Sequence, residues 1–194
     1  MNVRAAPMTR RAELLALAAD LFAERGFANV TVDDLGDAAG VSGPALYHHF
    51  AGKEALLGEM LVGISERLLE GCAQIAAAGG GELLTRLVRF HCEFAVDDRS
   101  LITVHMRDLV HTADADRRRI RRLQARYSDV WVDAIIAEHP AIDPRRARAA
   151  AHAAFGLINS TPFSASQPLP RAQMVDLLAS MAAGALASLH PAPR

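Results

Sequence analysis

The sequence predicts an all-α protein of about nine helices, three short and tightly joined, followed by six longer ones. Three observations lead there. Apolar residues recur at helical spacing from end to end, no run of β-branched residues alternates with period two, and caps and breakers fall where the periodic stretches begin and stop. The 194 residues, 51% of them hydrophobic, suit one large domain or one domain with a small module, and either can bury a real core. A formal charge of -1 gives no overall excess that would advertise nucleic acid, so such a partner would have to be met by a local patch. Cys72 and Cys92 make neither a disulfide framework nor a zinc spacing and suit a reduced cytoplasmic setting.

The first helix carries Leu14, Ala18, Leu21, Phe22 and Arg25 on one stripe, and Gly26 is expected to end it in the left-handed conformation. Arg10 and Arg11 before "AELLALAADLFA" imitate a secretory signal, but Glu13, Asp20 and Glu24 interrupt it at helical spacing, so it reads as amphipathic helix. Thr31 precedes Val32, Asp33 and Asp34, a cap with acids in the first turn, and this second helix lasts only to Ala39. Gly40 supplies a positive φ for the stop, Ser42 caps a third helix over about 42–49, and Pro44 sits in its first turn, where a missing N–H breaks no bond.

Lys53 and Glu54 open a long fourth helix with Leu56, Leu57, Met60, Leu61, Ile64, Leu68 and Cys72. After "AAAGGGE" comes a helix bearing Leu84, Leu87, Val88, His91, Phe94 and Ala95, then one over 101–111. A long helix over 114–139 has Ile120, Leu123, Tyr127, Val130, Trp131 and Ala134 as its stripe, and Pro140 stops it. Asp143 and Pro144 start the next, to about 160, and a Pro- and Ser-containing loop leads to the last, 171–189. The longest stretch free of charge, 149–170, holds His152, Asn159, Ser160 and three prolines, which argues against a membrane span.

Two short helices joined by a tight glycine turn are the helix-turn-helix layout, whose second helix fits the DNA major groove. Tyr47, His48 and Lys53 are residue types that reach phosphate oxygens, and Thr31 with the N–H groups of its helix start offers a second phosphate clamp. From about 9 to 57 the chain resembles the DNA-binding domain of tetracycline-repressor-like (TetR family) regulators. The resemblance lies in "LFAERGFANVTVDDL", "AGVS" at the turn, "ALYHHF" in the recognition helix and "KEALL" opening the fourth.

It implies an all-helical fold, a homodimer, a palindromic double-stranded DNA operator and a C-terminal domain responding to a small ligand. It also implies Thr31, Tyr47, His48 and Lys53 as DNA-backbone contacts, Ser42, Gly43, Pro44 and Ala45 as the groove-facing start of the recognition helix, and Leu46 and Phe50 as its core supports. The role of His49 stays open. Gly, Pro and Ala offer base edges little beyond apolar contact, so DNA shape and deformability are expected to carry specificity. Met1 to Gly58 holds five Lys and Arg against seven Asp and Glu, so the acids must turn away from DNA and Arg4, Arg10, Arg11 and Lys53 toward it. Arg4 is expected to enter a minor groove from a flexible arm.

In the rest of the chain, polar residues sit on apolar faces: His91 beside Leu87 and Phe94, His105 beside Ile102 and Met106, Asn159 beside His152 and Phe155. Each either hydrogen-bonds within the core or lines a pocket. Met60, Ile64, Leu68, Phe90, Phe94, Met106, Trp131, Phe155 and Phe163 would wall an apolar cavity for a fatty, aromatic or steroid-like effector, with His91, His105, His152 and Asn159 as its polar groups. No spacing within one helix suits a metal, and no cofactor is expected.

"DRRRIRRLQAR" over 116–126 reads as a solvated face, or as arginines such as Arg117, Arg118, Arg121 and Arg122 that bind phosphates of an acyl-coenzyme A. The Ala-rich last two helices form the dimer interface by resemblance. The expected division is a flexible arm at 1–8, the helix-turn-helix domain at 9–52, a ligand-binding and dimerisation domain at 53–189, and a tail at 190–194. The expectation is a cytoplasmic regulator, a repressor rather than an enzyme. The competing reading is a helical-bundle enzyme or carrier working through His91, His105 or His152, which lacks paired carboxylates, an activated nucleophile or a phosphate loop.

Overall fold

The computed structural model describes residues 9–41, 46–160 and 169–190. Among them are eight α-helices: α1 (Arg10–Arg25), α2 (Val32–Ala39), α3 (Lys53–Ala77), α4 (Leu83–Asp97), α5 (Arg99–Asp108), α6 (Asp114–Glu138), α7 (Pro144–Ile158) and α8 (Arg171–Ala187). Two 3-10 turns, Phe27–Asn29 and Leu109–His111, join α1 to α2 and α5 to α6. No described helix is long and apolar enough to cross a membrane.

The helix ends follow local chemistry. Thr31 caps α2 by accepting from the Asp34 N–H at 3.1 Å while the Asp34 carboxylate accepts from the Thr31 N–H at 2.7 Å, a reciprocal capping box. Gly40, at φ 64° and ψ 32°, takes the left-handed conformation that closes α2, and Val41 N–H returns to Gly36 O at 2.9 Å. Gly26 departs from expectation: φ is positive at 86°, but ψ is 142°, so the chain leaves α1 extended, straight into the Phe27 turn. Asp143 caps α7 from one residue before Pro144.

At 25 residues, roughly 37 Å, α3 is the mast of the molecule. Its first half packs with α1, α2 and the 46–50 corner, where Leu14, Phe22, Leu35, Leu46, Phe50 and Leu57 are buried. That core continues into Val104 of α5 and Ile120 of α6, so the N-terminal helices are seated on the bundle through continuous apolar packing. The far half of α3 packs beside α4, α6, α7 and α8 around Trp131, Leu87, Ile135, Ile158 and Leu178. Gly71 lets α3 and α4 approach: a Cβ there would lie 2.3 Å from the Phe90 ring.

Candidate functional site

The corner after α2 is held by charges from α1. Arg10 donates to the Ala39 carbonyl at the end of α2, and Arg11 donates to the His49 carbonyl while lying 4.3 Å over the Phe50 ring. Arg11 is in turn fixed by Glu59 of α3 at 2.6 Å. Cations at carbonyl ends of short helical segments are well placed electrostatically. Both side chains stay nearly half exposed while several of their donors are engaged with the corner and with acidic neighbours, so they brace the corner from its surface.

Lys53 is likewise turned inward, donating to Phe27 O at 2.8 Å and Val30 O at 2.7 Å with its ammonium 4.3 Å over the Phe27 ring. Two of its three donors are thus engaged. Leu46 and Phe50 are buried, whereas Tyr47 is 58% exposed and His48 is also exposed. The Thr31 hydroxyl is occupied by Asp34, whose carboxyl the two Thr31 hydrogen bonds hold below its ordinary pKa. The N–H groups of Val32 and Asp33 are left as the donors at the start of α2. Arg4, Ser42, Gly43, Pro44 and Ala45 lie outside the described residues, as does Phe163.

Thr31→Ala removes the side-chain cap on the Asp34 N–H and the hydroxyl's bond to the Asp34 carboxylate, and leaves the backbone half of the capping box in place. We expect a fall of roughly 2–4 °C in the thermal midpoint. An unchanged midpoint by circular dichroism would show that the cap contributes nothing to the fold.

Within the bundle lies a cavity of about 240 Å³ walled by α3, α4, α5, α6 and α7. Of the predicted wall residues, Ile64, Leu68, His91, Phe94, His105, Met106, His152, Phe155 and Asn159 line it. Met60, Phe90 and Trp131 do not. Met60 lines a separate hollow against α1, Phe90 covers Gly71, and Trp131 is wholly buried behind Phe155, ring centroids 4.8 Å apart. The sequence reading missed Ser65, Leu101, Ile102, Gln124, Tyr127 and Ser128. Gln124 and Ser128 carried a usable signal, being polar residues one helical turn apart beside the Ile120–Tyr127 stripe.

The polar groups are connected. The Tyr127 hydroxyl lies 2.9 Å from His91 Nδ1, and His91 Nε2 lies 3.1 Å from Asn159 Oδ1. Since the Asn159 oxygen can only accept, Nε2 carries the proton, Nδ1 accepts, and Tyr127 donates. Burial pushes the His91 pKa down to about 4 and the Tyr127 phenol well above its ordinary value, so both are neutral near pH 7. One turn before Tyr127 the Gln124 amide donates to His105 Nε2, and burial lowers the pKa of that imidazole too. The Ser128 hydroxyl is buried without a hydrogen-bond partner among the described residues. Neither imidazole is paired with a carboxylate, and no described cluster of His, Cys, Asp or Glu could hold a metal ion.

A titration follows from His91. The unfolded chain takes up a proton near the ordinary histidine pKa of 6.5, which the folded protein refuses until about pH 4. Stability is therefore intact above that upper value and drains as pH falls through the window, by about 3 kcal/mol across it. Urea unfolding at pH 7 and pH 4.5 should show His91→Gln losing less stability than the parent; equal losses would mean that another group governs the acid side.

Helix α5 joins this cavity to the N-terminal unit. Leu101, Ile102, His105 and Met106 face the cavity, while Arg107 donates to Ala23 O at 3.2 Å and to Phe22 O at the end of α1. The Ser100 hydroxyl donates to Asp20 of α1 at 2.7 Å. Residues 14–60 match the family model of bacterial regulatory proteins of the tetR family, and residues 78–186 match that of the tetracyclin repressor-like C-terminal domain. The chain belongs to the TetR family.

Among TetR-family relatives, the HTH-type transcriptional repressor KstR2 of Rhodococcus jostii (strain RHA1) is 34% identical over 126 residues, 63% of this chain. The chain thus spans 62% of that relative's length. KstR2 of Mycobacterium tuberculosis (strain ATCC 25618 / H37Rv) is 52% identical over 60 residues, 31% of this chain and 30% of the relative. The fold is shared with a TetR-family regulator from Bordetella parapertussis 12822, at 23% identity and TM-score 0.80 over 96% of this chain and 100% of that one. It is shared too with the solved KstR2 of Mycobacterium tuberculosis, at 26% identity and TM-score 0.73 over 94% and 97%.

Proposed function

We propose that this TetR-family protein is a ligand-responsive repressor, a homodimer that holds a palindromic double-stranded DNA operator and releases it when a small apolar effector enters the α3–α7 cavity. The observation that carries the reading is α5, one helix with four side chains on the cavity and Arg107 on the end of α1. An occupant that displaces α5 must also displace the N-terminal unit or break its hydrogen bonds. It releases DNA only by as much as it prefers the displaced state.

In this reading residues 1–8 are an arm, 9–52 bind DNA, 53–189 sense and dimerise, and 190–194 are a tail. Tyr47, His48, Thr31 and the adjoining N–H groups of α2 contact phosphates, with Lys53 contributing its remaining donor. Arg4 enters a minor groove, and Ser42, Gly43, Pro44 and Ala45 enter the major groove. The apolar walls and the likeness to KstR2, whose Mycobacterium tuberculosis form is a ketosteroid transcriptional regulator, favour a ring-built or fatty effector.

For an acyl-coenzyme A, the arginine to hold a phosphate is Arg121. It is exposed one turn before Gln124, whereas Arg117 is engaged with Val110 O and Asp114, and Arg119 with Glu66. Selection of bound duplexes from a random pool tests the whole reading. A palindrome with half-sites one helical repeat apart, or a multiple, is expected; a purified protein that enriches no sequence overturns it.

A further inference from the structure

The cavity has a chemical preference that its shape alone does not express. Among the described residues no Asp, Glu, Lys or Arg lines it, and burial favours the neutral form of both His91 and His105, which leaves the exposed His152 as the one lining imidazole outside those hydrogen-bonded pairs. Yet its wall is not hydrocarbon. The Tyr127–His91–Asn159 relay runs in one direction: Tyr127 donates to His91, and His91 donates to the Asn159 carbonyl oxygen. The relay fixes the orientation of the Asn159 side chain by its oxygen, and no hydrogen bond to a described residue engages the NH₂ group of this cavity-lining residue. Ser128 adds a buried hydroxyl that a purely hydrocarbon occupant would leave unpaired.

The geometry points to recognition of an uncharged carbonyl: the effector is an apolar molecule bearing a ketone, ester or thioester oxygen, and that oxygen accepts from the Asn159 amide. This deepens the effector reading above and rests on it. A ketone gains a hydrogen bond where the matching hydrocarbon leaves the amide bare, and a carboxylate must shed its hydration with no Lys or Arg among the described lining residues to receive it. The apolar skeleton fills the space among Leu68, Phe94, Ile102 and Phe155.

The test uses four molecules on one skeleton: trans-decalin, 2-decalone, 2-decalol and decalin-2-carboxylate. Binding to the full chain is read from Trp131, its single tryptophan, which packs against Phe155. At pH 7.5 the expected result is 2-decalone about tenfold tighter than decalin, with the carboxylate weakest. Asn159→Leu should bring ketone and hydrocarbon to equal affinity. Asn159→Asp, which keeps an acceptor for His91 but lacks the amide donor, should do the same if the leucine variant fails to fold.

Equal binding of ketone and hydrocarbon by the parent, tightest binding of the carboxylate, a ketone advantage that survives both substitutions, or no binding by any of the four would each overturn the proposal. These titrations contain no DNA. A protein that recovers no operator would sink the repressor reading and leave the carbonyl preference standing, and the reverse outcome would do the opposite.

Discussion

Arg107→Ala should abolish most of the effector's power to release DNA while leaving effector binding nearly intact. The guanidinium does not line the cavity and donates to Phe22 O and Ala23 O in the last turn of α1, and to the buried Asp108 carboxylate at 3.0 Å. With the Ser100–Asp20 hydrogen bond it ties α5 to α1, and in the proposed mechanism a shift of α5 reaches the N-terminal unit there. Coupling between two sites is commonly about 5–150-fold in affinity, and without this link the ratio of operator affinities with and without ligand should collapse toward one.

The substitution also strands Asp108, so a stability loss of about 2 kcal/mol should accompany it, discounted from a fully buried pair because the arginine is half-exposed. Arg107→Ala combined with Asp108→Asn separates the effects, restoring stability without restoring release. Fluorescence anisotropy on the selected operator, with and without 2-decalone, reads the ratio. An Arg107→Ala protein that still releases by the parent's factor would place the coupling elsewhere, with the Ser100–Asp20 contact and α3 with Lys53 as the remaining routes.

That link was invisible in the sequence, and the reason is separation. Arg107 and Phe22 are 85 residues apart, Arg11 and Glu59 48, His91 and Asn159 68. Caps and stripes, by contrast, are written within one or two helical turns. Thr31 with Asp34, Gly40, and Asp143 with Pro144 each identify themselves locally, which is why the order of the eight described helices was readable, while the start of the third expected helix, 42–45, lies outside the described residues.

The cavity was half legible for a related reason. A polar residue on an apolar stripe announces a buried partner or a pocket, and His91, His105 and Asn159 did so. An apolar residue on the same stripe says only that it is buried. Met60, Phe90 and Trp131 are buried or half-buried too, but against α1, against Gly71 and behind Phe155, and nothing local distinguishes those surroundings from a cavity wall. Lys53 was half legible in the same way: its charge suits phosphate, while the carbonyls of Phe27 and Val30 that take up two of its donors come from a turn more than 20 residues earlier.

Glutamates at Leu177 and Met181 should turn the protein into a folded monomer with little hold on its operator. These residues lie one turn apart on α8 and are 45% and 51% exposed, while their neighbours Val175, Leu178 and Ala182 are buried in the bundle. Small exposed residues extend the surface along α8 through Gly184 and across α7 through Ala149, Ala153 and Gly156, where no Cβ or only a methyl would hold a second copy away. In a twofold arrangement each glutamate meets its own copy or near neighbour, so four like charges gather in a region losing water.

A single chain has no contact to lose there, so far-UV dichroism and the thermal midpoint should stay near those of the parent, while light scattering reports half the mass. Without the second recognition element, operator affinity should fall at least about 100-fold, because the intramolecular second contact is gone. A double variant that remains dimeric would move the interface off α7 and α8. A monomer that still grips a palindrome at full strength would remove the requirement for two subunits.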